Sequence, residues 1–201
     1  MAASHRSLAA IALLAACVAA AAQDREQLPI ELKAEGGLRF DSQKGVVEYS
    51  GVTITQGQIR ITADRAVTTA ATTGDDFEDS KWQFSGTVRI SMPESALASD
   101  TAQVRFAGGE VASAVVTGAP ATFTQQREGE KSEGRANRID YDLKRGTVEF
   151  TGDAWLKDAR TEVTSEALVY STATQSVISD EPVLITIQPG EGAPEKPKPD
   201  T

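Results

Sequence analysis

Two stretches of this chain, 101 residues apart, are near copies of each other. Asp41–Gly51 reads DSQKGVVEYSG and Asp142–Gly152 reads DLKRGTVEFTG, and the two align without a gap. The Asp, both Gly, the Glu and one Val are identical, and most other positions change conservatively. Repeated units usually stack and share one continuous core, so this repeat constrains the architecture before any residue is assigned a chemical role.

A shorter period lies within these copies and is marked by glycines. The landmark glycines are separated by 35, 32 and 34 residues, and they are Gly51, Gly86, Gly118 and Gly152. An acidic residue in a small, polar setting follows three of them, in Ala63-Asp64, Ser99-Asp100 and Ser165-Glu166. We therefore predict about four repeats of about 34 residues. Each repeat consists of a strand, a Gly turn, a second strand, a short polar loop and a third strand.

Apolar residues alternate with polar ones along the chain, as in Val47–Tyr49, Ile139–Leu143 and Val183–Ile187. A period of two predicts β-strands with one buried face, and the abundant Thr and Val suit a pleated surface. The nearest candidate for a helix is Ala96–Val104, but the repeat places a turn and a strand there. The pattern predicts one all-β domain.

Composition excludes some classes of partner. Lys and Arg total 20 against 29 Asp and Glu, which gives a formal net charge of −9. Phosphate binding needs a basic surface, so we do not expect nucleic acid as a partner. A basic amphipathic helix on anionic lipid is also disfavoured. Neutral, apolar and cationic ligands remain open.

The N-terminus reads as an export signal. Leu8–Ala16 is apolar but too short to span a bilayer, and Ala20–Ala22 fits a small-residue cleavage site. We predict a signal peptide over residues 1–22, a mature chain that begins at Gln23, and a location in the periplasm. Leu14–Cys17 also fits a bacterial lipoprotein signal, in which Cys17 would be lipidated and anchor the protein.

Two further segments lie outside the alternating pattern. The C-terminal stretch Pro189–Thr201 contains four prolines and no apolar run, which predicts a disordered tail after a domain over residues 23–188. The stretch Thr68–Asp79 interrupts the repeat and is predicted to be a mobile loop.

The mature chain is poor in catalytic side chains. Cys17 is the single cysteine and His5 the single histidine, and both lie in or beside the export signal. Cleavage after Ala22 would leave no thiol or imidazole for zinc sites, triads or dyads. A cation could be held by Asp140, Asp142 and Asp153, but their spacing matches no known loop, and most carboxylates should face solvent. We predict no enzyme activity, no metal and no cofactor.

One apolar face runs across the successive strands and has two interpretations. It comprises Ile30, Leu32, Val47, Tyr49, Ile54, Ile61, Phe84, Ile90, Phe106, Phe123, Ile139, Tyr141, Leu143 and Phe150. In the first interpretation it is the core of a closed sandwich. In the second it lines a groove between two sheets that do not close. The period of two cannot separate these interpretations.

Several motifs together resemble a known family. They are Leu28–Leu32, Val52–Asp64, Gly118–Gln125, Glu133–Ala136, Ile139–Leu143 and Phe150–Leu156. In this order they are similar to the OstA-like domain family of periplasmic lipopolysaccharide transport proteins, over most of the mature chain.

The resemblance implies both a fold and a role. The implied fold is an open, twisted β-jellyroll, with two antiparallel sheets in a V-shaped trough. The implied ligand is lipopolysaccharide, with its acyl chains in the trough in contact with Ile30, Phe123, Tyr141 and Leu143. The implied partners are other copies of the chain, joined head to tail, and the jellyroll domains of inner- and outer-membrane components of the same transport system.

The sequence departs from the family over residues 66–117, where it is longer by about one repeat and an extra rung of the trough is expected. Two other functions remain open. One is a closed β-sandwich scaffold that binds no lipid. The other is the bitopic inner-membrane component of the same pathway, which requires an uncleaved apolar span of about 20 residues at the N-terminus. A carboxylate-based enzyme is a third alternative function.

Overall fold

The computed structural model describes residues 28–69 and 77–189. The regular elements in these ranges are all strands. They are β1 (Ile30–Ala34), β2 (Leu38–Asp41), β3 (Val46–Gln56), β4 (Ile59–Thr69), β5 (Asp79–Ser91), β6 (Ser95–Ala107), β7 (Glu110–Arg127), β8 (Glu130–Asp142), β9 (Thr147–Asp158), β10 (Thr161–Ser171), β11 (Ser176–Ile178) and β12 (Leu184–Ile187). The stretch Ala96–Val104 lies within β6, so the choice of strand over helix is confirmed.

The described strands form one antiparallel sheet in sequential order. From β3 to β10 each strand pairs with its neighbours in the chain, so the connections are hairpins. β1 and β2 both pair with β3 at one end, while β11 and β12 both pair with β10 at the other. The two ends do not pair with each other in the described part of the chain. The predicted all-β, open, twisted jellyroll is confirmed, while the number of repeats stays a prediction.

A line of irregular pairing crosses the sheet and divides it into two halves. Each pairing from β4–β5 to β9–β10 shifts register near its middle, for example between Ser85 and Val88 and between Arg135 and Arg138. The β2–β11 half lies on one side of this line and includes residues 79–85, 101–107 and 138–142. The β1–β12 half lies on the other side and includes residues 88–91, 95–98 and 121–127. Bulges bend strands, so the line allows the two halves to face each other as layers.

Gly86, Gly118 and Gly152 lie on this line, and Gly51 lies between the β1 and β2 pairings of β3, each inside a continuous strand. Gly51, Gly86 and Gly152 have φ angles of 62°, 75° and 77°, a region that favours glycine. A Cβ atom on Gly86 would also collide with the carboxylate of Asp64 on the neighbouring strand. The predicted Gly turns between separate strands are therefore wrong, because the glycines mark bends within single strands.

The repeated Asp-x-x-(Lys/Arg)-Gly sequence forms the same tight turn twice. The Asp41 carboxylate accepts hydrogen bonds from the backbone N–H groups of Gln43 and Lys44, at 3.0 and 3.2 Å. The Asp142 carboxylate accepts one from the N–H of Arg145 at 3.0 Å. The glycine that closes each turn has φ near 60°, at Gly45 and Gly146. The most similar part of the repeat is therefore a structural turn.

A third turn of this kind follows β10. The Ser171 hydroxyl accepts a hydrogen bond from the N–H of Thr174 at 3.4 Å, in the place that Asp takes in the other two. Gln175 occupies the glycine position with φ of 53°. An L-residue is strained in this left-handed region, so this copy is the least favourable of the three.

The alternating apolar residues face inward, as the sequence predicts. The fourteen residues of the apolar face all belong to the core or pack against it, with Ile30, Leu32 and Leu143 partly buried. The signal peptide, Cys17, residues 70–76 of the predicted loop and the tail from residue 190 onward lie outside the described residues.

Candidate functional site

The candidate site is the apolar interior between the two halves of the sheet. Near its C-terminal end, Phe123 of the β1–β12 half contacts three aromatic rings of the β2–β11 half. Its ring centroid lies 6.1 Å from that of Tyr141, and 5.9 Å from those of Phe150 and Tyr170. The three pairs are edge-to-face, the geometry that aromatic quadrupoles favour. This group, the C-terminal aromatic cluster, joins the two halves across the interior.

A second group, the N-terminal aromatic cluster, is centred on Trp82. The Trp82 ring stacks on Phe77 and Tyr49 at centroid distances of 4.9 and 5.6 Å. Phe84 and Phe106 lie 6.2 and 6.4 Å away. Trp82 is fully buried, although the predicted inward set omits it. Its alternation with Phe84 along β5 was the signal that could have identified it.

The structure brings together only part of the predicted lipid-binding set. Phe123 is fully buried and Tyr141 is 8% exposed, and their rings are in contact. Leu143 follows β8 at the open edge of the β2–β11 half and is partly buried. Ile30 lies apart from them on β1, where it pairs with Gln56. Contact of these four residues with lipid stays a prediction.

The hairpin turns at the outer end of each half are here called its rim. Residues 56–59 and 93 belong to the rim of the β1–β12 half, and residues 109–111 and 172–173 to the rim of the β2–β11 half. Among the described residues, side-chain hydrogen bonds join the two rims at two places. At the C-terminal seam, Gln125 and Arg127 of β7 reach across to the turn that follows β10. The Gln125 side chain donates to the Thr172 carbonyl at 3.2 Å. The Arg127 guanidinium donates to the carbonyls of Thr172 and Ala173 at 3.0 and 2.9 Å. Polar contacts therefore close this end of the interior.

A buried hydroxyl supports the C-terminal seam from inside. The Tyr170 O–H lies 2.8 Å from Gln125 Oε1 and 3.1 Å from Ser132 Oγ, and these three residues are 0–3% exposed. Burial raises the pKa of Tyr170, and its hydrogen bond with Ser132 opposes that shift in part. The phenol therefore stays neutral and holds Gln125 in the position that contacts Thr172.

The N-terminal seam lies beside a cleft. The Gln56 side chain donates to the Gly109 carbonyl at 2.6 Å and to the Leu28 carbonyl at 3.3 Å. The cleft has a volume of about 820 Å³, and its lining is Leu28, Gln56, Gly57, Gln58, Ile59, Pro93, Glu110 and Val111. It lies between the rim formed by residues 56–59 and 93 and the rim formed by residues 110–111.

Two of the outward carboxylates, Asp140 and Asp153, are hydrogen-bonded to neighbouring side chains. Arg138 donates two hydrogen bonds of 2.7 Å to Asp140, and Asn137 donates one of 3.1 Å to Asp153. Within residues 28–69 and 77–189, no group of three or more His, Cys, Asp or Glu side chains is arranged to hold a metal ion. The interior between the two halves is filled by packed apolar side chains in the described ranges.

Exposed apolar side chains are concentrated at the two ends of the sheet. The N-terminal end exposes Leu28, Leu38 and Phe40, at 55–66% of their surface. The C-terminal end exposes Ile178, Val183, Leu184, Ile185 and Ile187, at 45–72%. These residues lie on or beside the terminal strands, whose outer edges are unpaired within the described structure. Such edges normally need a partner or protection.

The described ranges contain no helix long and apolar enough to cross a membrane.

Comparison with known proteins places residues 69–176 within a family model described as LptA/(LptD N-terminal domain) LPS transport protein. The lipopolysaccharide export system protein LptA of Escherichia coli K12 is 28% identical over 174 residues, which are 84% of this chain and 74% of that protein. LptA of Shigella flexneri gives the same values. The crystal structure of LptH from Pseudomonas aeruginosa, an LptA-homologous periplasmic component of the lipopolysaccharide transport device, aligns with a TM-score of 0.41 and 18% identity. That alignment covers 83% of this chain and 99% of the other.

Proposed function

This chain belongs to the LptA/(LptD N-terminal domain) family of LPS transport proteins, and we propose that it carries lipopolysaccharide with the acyl chains inside the apolar interior. The observation that carries the proposal is the contrast between the interior and its rims. The interior is lined by apolar side chains from both halves, whereas the rims are held together by a few polar contacts. Such an interior can exchange packed side chains for hydrocarbon when the rims separate.

The energies involved favour this exchange. A hydrogen bond contributes about 0.5–1.5 kcal/mol net, so parting the four rim-to-rim hydrogen bonds described above costs a few kcal/mol. Burial of an acyl chain gains about 0.8 kcal/mol per CH₂, or about 10 kcal/mol for a twelve-carbon chain. Rearrangement of the aromatic clusters reduces this gain, and several acyl chains on one lipid increase it.

The charge of the protein determines the orientation of the lipid. A net charge of −9 repels the phosphates of the head group, which therefore stay in water outside the rims. The acyl chains are neutral and enter the interior without a charged partner. Transport of this kind needs no bond to be made or broken by this chain, so the proposed role is that of a carrier and not of an enzyme.

The ends of the sheet suit end-to-end assembly. β1 and β2 of one copy would pair with β12 and β11 of the next, so that both halves of the sheet continue from copy to copy. The two ends are different surfaces, and contacts between unlike surfaces propagate as an open chain. The same edges would receive the jellyroll domains of inner- and outer-membrane partners, which makes the protein a bridge across the periplasm.

The proposed location is the periplasm, with a soluble mature protein that begins at Gln23. The intact mass of the protein purified from its own host tests this point. A mass that corresponds to a chain starting at lipidated Cys17 would instead indicate a membrane-anchored lipoprotein.

Photo-crosslinking along β8 tests lipid binding by the interior. A photoreactive side chain at position 141 or 143 should label with lipopolysaccharide in cells, while one at Asp140 or Asp142 should not, because successive strand residues face opposite sides. Equal labelling at positions 140, 141 and 142 would contradict the inward assignment. Absence of label at each position in folded protein would favour the closed scaffold.

A further inference from the structure

We infer that the cleft at the N-terminal seam is the binding and entry site for a single unbranched alkyl chain. This inference rests on the proposed function and specifies where the interior first receives hydrocarbon. The cleft lies between the two rims, beside the seam at which, among the described residues, Gln56 donates one hydrogen bond to Gly109. At the C-terminal seam, by contrast, Gln125 and Arg127 together donate three hydrogen bonds to the opposite rim.

The lining of the cleft selects hydrocarbon. Its apolar walls are formed by Leu28, Ile59, Pro93 and Val111, and Glu110 is its one charged lining residue. An anionic group inside the cleft would face that carboxylate without a basic partner in the lining, which is unfavourable. The volume of about 820 Å³ lies in the range of about 300–1,000 Å³ that is usual for small-ligand sites.

The cleft borders the apolar core through two of its lining residues. Val111 is 7% exposed and belongs to the core, and Ile59 is partly buried and packs against it. We therefore expect a chain that enters between these two side chains to meet the apolar interior. The Gln56 contact with Gly109 stands beside this path, and its separation would widen the cleft toward the N-terminal aromatic cluster.

The residues that precede the cleft in the sequence are poor candidates to fill it. The five residues before Leu28 are Gln23, Asp24, Arg25, Glu26 and Gln27, all polar or charged. Burial of such side chains in an apolar cleft is costly. An alkyl chain from a lipid is the occupant that matches the lining.

Single cysteines on adjacent residues test the site. In full-length protein that carries Cys17→Ser, Ile59→Cys places a thiol in the cleft, and Arg60→Cys places one on the opposite, exposed face of the same strand. Alkylation by iodoacetamide is measured alone, with dodecanoic acid and with purified lipopolysaccharide. The inference predicts at least tenfold slower alkylation of Ile59→Cys with either ligand, and less than a twofold change for Arg60→Cys.

A larger side chain placed in the cleft tests the binding site independently. Pro93→Trp adds a large ring at an exposed position of the lining, and Glu94→Trp, on the same turn but outside the lining, is the matched control. Pro93→Trp should weaken dodecanoic acid binding at least tenfold in calorimetric titration, with unchanged circular dichroism, and Glu94→Trp should bind like the parent protein.

Four outcomes would overturn the inference. Equal protection of both cysteines would mean that the ligand does not occupy the cleft. Protection of Ile59→Cys that rises with protein concentration in the absence of lipid would assign the cleft to a second copy of the chain. Lipopolysaccharide binding by the parent protein with no protection of Ile59→Cys would refute the entry site while leaving the proposed function intact. A parent protein that binds neither ligand refutes both.

Discussion

Replacement of Tyr170 with Phe removes one oxygen atom from the buried network behind the C-terminal seam. The ring remains, so its edge-to-face contact with Phe123 is preserved. The lost hydroxyl lies 2.8 Å from Gln125 Oε1, and Gln125 is 3% exposed, so water cannot easily replace it. A buried acceptor left without a partner costs about 1–3 kcal/mol. For a domain of this size that corresponds to a fall of about 2–12 °C in Tm.

A second substitution identifies the cause of this loss. Gln125→Leu in the Tyr170→Phe background removes the orphaned acceptor, and the Thr172 carbonyl keeps its hydrogen bond from Arg127. The double variant should therefore be more stable than the sum of the single effects predicts, by about 1 kcal/mol or more. Urea unfolding monitored by circular dichroism measures all four proteins. An unchanged free energy of unfolding in Tyr170→Phe, or strict additivity in the double variant, would refute the proposed network.

The same hydroxyl makes stability depend on alkaline pH. Burial raises the pKa of Tyr170 above its ordinary value, so the folded state holds the proton more tightly than the unfolded chain does. The stabilisation is complete below about pH 10, the ordinary pKa of tyrosine, and is lost as the pH rises further. The chain has two other tyrosines, so the prediction concerns the difference between proteins. Tyr170→Phe should lose less stability between pH 9 and 11 than the parent, as measured by urea unfolding at each pH.

Three further predictions follow from packing, strain and edges. Gly134→Ala should destabilise the fold by about 1–3 kcal/mol in urea unfolding, because the added methyl would collide with the Phe150 ring, and Phe150→Leu should relieve part of the loss. Gln175→Gly should stabilise by up to about 1 kcal/mol, since φ of 53° strains the glutamine, and a lower Tm would contradict that reason. Ile187 lies on β12 and is 72% exposed, so Ile187→Asp should abolish end-to-end association in sedimentation without lowering Tm. Unchanged association would show that β12 is not the contact.

The sequence predicts which residues face inward but not which of them meet. A period of two fixes the side of a strand on which each residue lies, and the fourteen residues of the apolar face are accordingly in or against the core. It does not fix which strands of the two halves oppose each other. Contact between Phe123 and Tyr141, and the separation of Ile30 from both, depend on where the sheet bends and on its twist.

The glycine repeat shows a different limit. Glycine is favoured wherever φ is positive, and both a turn between strands and a bulge within a strand require this. The landmark glycine Gly86 could therefore be assigned to either from sequence alone, and the structure places it in a bend of β5. The rim contacts of Gln56 and Gln125 are harder to predict, because each joins a strand residue to a turn that belongs to the opposite half of the sheet.

Native mass spectrometry of the protein purified without detergent from lipopolysaccharide-producing cells tests the central claim most directly. The account predicts a population of the parent protein with a mass increase equal to one lipopolysaccharide molecule. This population should decrease in Val116→Trp, which fills the interior with a larger side chain. It should persist in Thr117→Trp, which changes the exposed next residue of β7. Circular dichroism of both variants provides the control for folding. A parent protein that shows only the mass of the polypeptide, even after incubation with excess lipopolysaccharide, would mean that the interior is a closed core and that the chain does not carry the lipid.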